Sequence, residues 1–538
     1  MERSRTVASL IGLMVYACPP IVAAVSDARH FVSAARIVSG LTLLSRVLGL
    51  VRDAVFAGVF GAGWAASAFS LAFMVPNLFR RLFGEGALSA AFIPVFTDVR
   101  QQGDGRRASR LAGTVLVGAA ILLAVLVLLG EGVVAGLKPL VEPTPRNALT
   151  LRLAAVMLPY ALLICAVALM SGLLNVLGHF AAPAGAPIVL NLCIISAIAA
   201  GVWVGGLDVE THLTWLAGGV LIAGVLQLAL QWLAVRARGF RIHLALDVRD
   251  EAVRRIAWLT GPMALGLAVV QINALADVLI AYVFVPHGGA PNKLYLAQRL
   301  YQFPMGVFLI ALTTAIYPQF SRMAADRDMV GFGDSIVRGL RMVIFIGVPA
   351  SVGLILMREP LVALLFEHGK FLGADTTRTA AILLFYAAGI WAYGLQMMLG
   401  RAFYALQDSK TPVRIAMAMV VLNLTLNLIF VHVLPEPQER GLALATAICA
   451  VIQSAWLAAV LSSRVGHVQS AGLWRQLMRV VIATIGMTAA CVAIGRFLGP
   501  RPLAQVAGVL VVGVGTYAVA SRLMKIEELR DLLRRDVR

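Results

Sequence analysis

Ser45-Arg46-Val47-Leu48-Gly49-Leu50-Val51-Arg52-Asp53 sets two arginines inside an otherwise apolar stretch that is long enough to cross a bilayer. A third arginine, Arg299, lies just inside another such stretch, Ala297-Gln298-Arg299-Leu300-Tyr301-Gln302-Phe303-Pro304. Insertion scales put an arginine at a helix centre about 2.5–3.5 kcal/mol unfavourable. Cations held at that depth imply an anion, a water-filled cavity, or both.

The rest of the chain supplies the same setting. Of 538 residues, 60% are apolar and 13% charged, against about 25% charged in soluble proteins. Apolar runs of about 20 residues match a hydrocarbon core of about 30 Å. Fourteen can be read, centred near residues 49, 72, 122, 163, 195, 225, 271, 308, 348, 387, 422, 451, 485 and 512. The fold expected is an all-α polytopic membrane protein. Residues 1–30 are set apart as an N-terminal extension, either signal-like or the product of a mis-called start.

The formal net charge of +18 does not indicate nucleic acid, because the basic residues sit in short loops between apolar runs. With the first span starting inside, the cytoplasmic connections and tail hold about 28 Lys and Arg and the opposite loops about 10. Both ends of the core are therefore expected in the cytoplasm. Basic loops of this kind also attract anionic lipid headgroups, so membrane lipids are expected partners. The five cysteines all lie in apolar runs without a CxxC pair, as small buried hydrophobes do.

A shift of 224 residues lays Asp53-Ala54-Val55-Phe56 on Asp277-Val278-Leu279-Ile280, and Ala87-Leu88-Ser89-Ala90-Ala91 on Ala311-Leu312-Thr313-Thr314-Ala315. The shift spans six helices, an even number, so both halves have the same orientation. Two parallel-repeat six-helix lobes are a transporter architecture with its substrate site between them. The lobes are expected at 31–245 and 246–465, followed by two further helices over 466–525 and a cytoplasmic tail, 526–538.

At 1.5 Å per residue, Arg46 and Arg52 lie about 14 and 22 Å along the first span. Arg80 and Arg81, in Pro76-Asn77-Leu78-Phe79-Arg80-Arg81-Leu82-Phe83-Gly84-Glu85-Gly86, are expected near the cytoplasmic end of the second. There they would greet an anionic headgroup or simply mark topology. Arg299 is followed by Pro304, which permits a kink, and is flanked by Gln298 and Gln302. A structural ion pair for the first-span arginines and interfacial snorkelling for Arg299 are the competing readings. Asp277, Asn423, Asn427 and Thr446 offer one carboxylate and several neutral oxygens, which suits Na⁺. Plain interhelical hydrogen bonding accounts for the same residues. No phosphate-loop GxxxxGK[ST] or catalytic constellation is visible. A gradient-driven secondary transporter is expected rather than an enzyme, with no cofactor and with Na⁺, H⁺ or the membrane potential as the energy source.

Four stretches resemble the MurJ (MviN) family of lipid II flippases, in the multidrug/oligosaccharidyl-lipid/polysaccharide exporter superfamily. They are Ser45 to Asp53, Pro76 to Pro94 (PNLFRRLFGEGALSAAFIP), Gln298 to Gly306 (QRLYQFPMG) and Ala402 to Pro412 (AFYALQDSKTP). The resemblance implies a fourteen-helix protein of the bacterial inner membrane. Such a protein flips the undecaprenyl-pyrophosphate-linked peptidoglycan precursor outward by alternating access through a cationic cavity. By motif match the functional arginines fall on Arg46, Arg52, Arg80 and Arg299, with Arg81 beside them and with Asp53 and Glu85 at acidic family positions. The last two helices resemble the family's groove for the lipid tail, and other cell-wall synthesis or division proteins are implied partners. Ser67, Gln298 and Gln302 stand where some relatives carry acids. An exporter of another lipid-linked oligosaccharide or of drugs, and a non-transporting cell-wall assembly scaffold, remain the alternatives.

Overall fold

The computed structural model describes residues 28–285, 289–466 and 470–533, without side chains at 28–35, 84–85, 265–266, 269–270, 470–473 and 532–533. The expected extension lies almost wholly outside the described residues, as do residues 534–538 of the tail. Among the described residues there is no strand. The chain forms α1 (Ala28–Phe60), α2 (Trp64–Gln101), α3 (Gly105–Leu137), α4 (Pro145–Val176), α5 (Ala181–Val204), α6 (Val209–Ala237) and α7 (Glu251–Phe284). It continues as α8 (Ala290–Ala325), α9 (Met329–Leu356), α10 (Gly373–Ala405), α11 (Lys410–Val433), α12 (Arg440–Val465), α13 (Ser470–Leu498) and α14 (Pro502–Leu523), with a short helix, Arg358–Phe366, between α9 and α10 and a short α15 (Glu527–Leu533) at the end.

Each of the fourteen expected centres falls inside one of these rods. Twelve of them, all but α1 and α7, contain a window long and apolar enough to cross a membrane. Their limits follow from local chemistry. Asp104, Thr144, Asp208 and Asp328 accept hydrogen bonds from the otherwise unpaired N–H groups that open α3, α4, α6 and α9. Glycines in the left-handed region, Gly205 (φ 68°) and Gly466 (φ 72°), follow α5 and α12.

The chain packs as two compact units that divide between Leu279 and Ile280, inside α7. In the first unit, α1, α2, α4, α5 and α6 share an apolar cluster that includes Phe56, Phe69, Met157, Tyr160, Ile198 and Leu216. A second cluster joins the far half of α2 to α3, α4, α6 and α7 through Phe92, Phe96, Leu111, Met170, Val235 and Ile256. Lipid gives no hydrophobic drive for helices to associate, so close van der Waals packing must do it. Gly201 of α5 accordingly lies against the His212 ring of α6, where a Cβ would collide. In the second unit, α13 and α14 pack on α9. Ile344, Phe345, Val480, Ala483 and Ile526 form a cluster there, and the Tyr517 hydroxyl donates to the Phe345 carbonyl at 2.8 Å.

Arg80 and Arg81 directly follow the α-helical stretch Trp64–Phe79, and beyond them the chain turns helical again from Leu88 to Gln101. The Gly-Glu-Gly sequence lies in a π-helical segment, Arg80–Ala87, where Gly86 leaves helical geometry (φ −97°, ψ −113°), so α2 is two helical halves joined at a kink. A Cβ on Gly86 would collide with the Arg81 carbonyl, so the kink demands glycine.

The second unit repeats this device. A shift of 224 residues carries Trp64–Gln101 to 288–325, against Ala290–Ala325 observed for α8. It carries the π segment to 304–311, which encloses the π turn at Met305–Leu309. Gly105, the start of α3, lands on Met329, the start of α9. The repeat is thus visible in helix limits and irregularities as well as in residue identities.

Candidate functional site

In the first unit the structure brings Arg52 and Asp53 of α1 together with Asn191 of α5. Arg52 and Asp53 are 6% and 4% exposed. Arg52 donates to Asp53 Oδ1 from Nε at 3.0 Å and from Nη2 at 2.6 Å, and from Nη1 to Asn191 Oδ1 at 3.2 Å. Asn191, on α5, also donates from Nδ2 to the Ser45 carbonyl at 3.1 Å. One amide thus reads both ends of the Ser45-to-Asp53 stretch and fixes α1 against α5. Gly49 faces the same amide: a Cβ added there would touch Asn191 Nδ2 at 3.6 Å, so the amide leaves room for nothing much larger than a methyl group.

Arg46 is not part of this cluster. It is exposed on α1 and makes no hydrogen bond or ion pair among the described residues. Arg80 is half-buried on the π segment, with Nε donating to Asn77 Oδ1 at 3.3 Å. Arg81 is exposed and reaches Gln271 Oε1 of α7 at 3.4 Å. The side chain of Glu85 lies outside the described residues. Ser67 is 2% exposed on α2.

In the second unit Arg299 is exposed on α8. It donates from Nε to the Tyr295 hydroxyl at 3.1 Å, and its guanidinium lies 5.3 Å from the centre of that ring. Gln298 Nε2 donates to the Tyr386 hydroxyl at 3.3 Å, and Tyr301 stacks on Tyr386 with ring centres 4.9 Å apart. Arg299 thus leans on the ring of Tyr295, while Gln298 and Tyr301 both meet Tyr386. Gln302 is exposed one turn further on.

The oxygen-bearing residues singled out for Na⁺ lie on α7, α11 and α12. Asp277 is 7% exposed on α7, while Asn423 and Asn427 are 3% and 0% exposed on α11. Asn427 Nδ2 donates to Asn423 Oδ1 at 3.0 Å, and the Thr446 hydroxyl donates to the Leu442 carbonyl of its own helix at 2.9 Å. Among the described residues no group of three or more His, Cys, Asp or Glu side chains could hold a metal.

Sequence reasoning passed over several charged partners. Lys293, 3% exposed at the start of α8, pairs with Asp375 of α10 at 2.9 Å. Arg378 of α10 grips the fully buried Glu439, just before α12, at 2.7 and 2.9 Å. Asn191 carried the one usable signal, a lone amide within an apolar run. The Ala402-to-Pro412 motif also gains an explanation. Asp408 caps α11 through the N–H groups of Lys410 and Thr411, at 3.0 and 3.1 Å, and pairs with Arg464 at the end of α12. Burial pushes the Asp408 carboxyl up, but its hydrogen bonds with Thr411 and its pairing with Arg464 outweigh that and hold it below the usual carboxylate range.

Two substitutions test the α1 cluster. Asp53→Asn leaves a buried arginine without its adjacent carboxylate, for which about 3–5 kcal/mol is expected. Asn191→Ala removes neutral hydrogen bonds and is expected to cost about 1–3 kcal/mol. Thermal unfolding of the purified variants in detergent should show both losses, with Asp53→Asn the larger; the reverse order would contradict the assignment.

The family described as "Lipid II flippase MurJ" matches residues 56–501. A curated relative from Vibrio cholerae, "Probable lipid II flippase MurJ", is 35% identical over 451 residues, covering 80% of this chain and 83% of that protein. A solved structure described as "Lipid II flippase MurJ, inward closed conformation" superposes with a TM-score of 0.73 at 24% identity, covering 92% of this chain and 99% of that one. An inward-facing "multidrug resistance MATE family transporter of the MOP superfamily" superposes with a TM-score of 0.66 at 15% identity, over 81% of this chain and 99% of that one, a likeness of fold. With the family match running through both repeat units, the chain belongs to the lipid II flippase MurJ family.

Proposed function

We propose that this protein moves lipid II, the undecaprenyl-pyrophosphate-linked peptidoglycan precursor, from the cytoplasmic to the outer leaflet of the bacterial cytoplasmic membrane. The observation that carries this reading is the family match over residues 56–501. The arginines supply its chemistry. A guanidinium stays charged and its planar fork binds phosphate oxygens two at a time. Arg46, Arg81 and Arg299 are exposed on membrane helices and are the first groups a pyrophosphate would meet. Arg80 is half-buried beside Arg81 on the same π segment. Arg52 has a different part. It is buried and paired, so a phosphate would reach it only by displacing Asp53. We assign it to holding α1 in place in the empty protein and to exchanging partners when substrate arrives.

Transport in this reading is alternating access without ATP hydrolysis. The sugar-peptide headgroup stays wet, while the polyprenyl chain remains in lipid along α13 and α14. One elementary charge moved across 100 mV is worth about 2.3 kcal/mol, so a net charge of two or three on the arginines makes the empty carrier responsive to the membrane potential. Asp277 is the carboxylate on which Na⁺ coupling would turn, with Asn423, Asn427 and Thr446 as neutral donors of oxygen; H⁺ is the other candidate ion. Both ends of the core face the cytoplasm, as the basic loops require. Cell-wall synthesis or division proteins are the proposed macromolecular partners.

Depletion of the native protein and complementation with Arg299→Ala, reading which leaflet holds the precursor, tests the substrate assignment. Loss of one charge-assisted contact predicts externalisation reduced about tenfold or more at normal protein level; unchanged externalisation would defeat it. Asp277→Ala should abolish a Na⁺ dependence of transport measured in vesicles, and a dependence that persists in the variant removes Asp277 from the coupling role.

A further inference from the structure

Residues 239–250, between α6 and α7, have no regular secondary structure, yet they are pinned to the outside of α3. The Ser109 hydroxyl donates to the Arg241 carbonyl and accepts from the His243 N–H at 3.1 Å. The Asp247 N–H donates to Thr114 Oγ1 at 3.3 Å. Asp250 closes the strap by accepting from Arg107 Nη2 at 3.2 Å and by capping α7 at the Ala252 N–H, 2.8 Å away. Gly113 lies directly under the His243 carbonyl, where any Cβ would collide. The strap is thus a built feature held at three levels of α3.

Its two sides differ. Inward, a cavity of about 200 Å³ is lined by Asp104, Arg107, Arg110, Thr114, Asp247 and Asp250, among other residues. Outward, Leu244, Leu246 and Val248 are 59%, 56% and 61% exposed. They alternate along the strap with Ala245 and Asp247, and all three are exposed. Exposed Arg241 and Arg249 bracket them, and exposed Arg236 and Arg238 precede them. Asp247 is the only acid from residue 236 to residue 249.

Depth decides what this side meets. α3 has 33 residues and is about 50 Å long, some 20 Å more than the hydrocarbon core. Shared between the ends, about 10 Å at each lies among headgroups. Ser109 and Thr114 are about 6 and 14 Å from the helix start. The strap therefore climbs α3 across the boundary between headgroups and acyl chains.

We propose that this strap is a docking site for anionic phospholipid in the leaflet on the arginine-rich side. Leu244, Leu246 and Val248 seat among the upper acyl carbons, while Arg241 and Arg249 hold headgroup phosphates. The inference rests on the chain's being a multi-span membrane protein and not on what it transports. Positive charge alone marks topology; it is the apolar triplet at interfacial depth that calls for a lipid surface rather than a soluble acidic partner.

The test uses the full chain with its native cysteines replaced and Leu246→Cys carrying a bimane fluorophore. The protein is reconstituted into vesicles of phosphatidylcholine, with or without phosphatidylglycerol, containing a lipid with a nitroxide at a shallow acyl carbon. The proposal expects quenching in both mixtures, strengthened with phosphatidylglycerol. An arginine at an anionic surface is worth about a fivefold local enrichment. Arg241→Gln with Arg249→Gln should remove that gain and leave the phosphatidylcholine signal. Val248→Cys, labelled in the same way, provides the same reading should the first variant fail to fold. Water-like emission without quenching would overturn the proposal. So would equal quenching in the two mixtures, or shielding of the probe only when soluble cell extract is added.

Discussion

A charged guanidinium at membrane depth needs an anion or water, and Arg52 meets that constraint inside the first unit. Arg52 is satisfied by Asp53 beside it and by Asn191 across the helix interface. The same asparagine holds the Ser45 carbonyl, so one side chain both neutralises a cost and aligns α1 with α5. Arg46, six residues earlier on α1, lies outside this cluster and stays exposed. The two arginines of one motif are therefore placed differently: the first is exposed, and the second is held by the fold.

A second constraint concerns backbone hydrogen bonds, which lipid cannot satisfy. Both repeat units carry their candidate arginines on a long helix broken by proline or glycine. Both carry a π-helical segment at that place, Arg80–Ala87 in α2, where Gly86 kinks the chain, and Met305–Leu309 in α8. Arg80 and Arg81 open the first of these segments, directly after the α-helical stretch that ends at Phe79. Because the two turns occupy equivalent places in the repeat, the bend is a property of the repeating half rather than a local accident.

Much of this is legible in the sequence because membrane helices are written in composition. Apolar runs mark all fourteen rods, and the Asp53/Asp277 register marks the repeat. Where the sequence misleads, it does so for a physical reason. At Arg80–Gly86, charge and glycine read as a helix end, and periodicity cannot show that the chain turns helical again from Leu88 after a kink at Gly86. An ion pair for Arg52 is readable from the acid beside it, but Asn191 lies 139 residues away and only packing brings it there. The buried pairs Lys293–Asp375 and Arg378–Glu439 look in sequence like ordinary loop charges. Asp408 stands out as part of a motif, yet its caps and its link to Arg464 emerge only from the folded loop.

The central claim is that exposed arginines on membrane helices recognise the pyrophosphate of the lipid. It is tested most directly by measuring the affinity of the purified protein for lipid II and for an analogue whose pyrophosphate is replaced by a neutral linker. The account predicts that the native chain prefers the charged lipid strongly and that Arg299→Ala loses most of that preference while binding the neutral analogue as before. Equal affinity of the native chain for both lipids would contradict it.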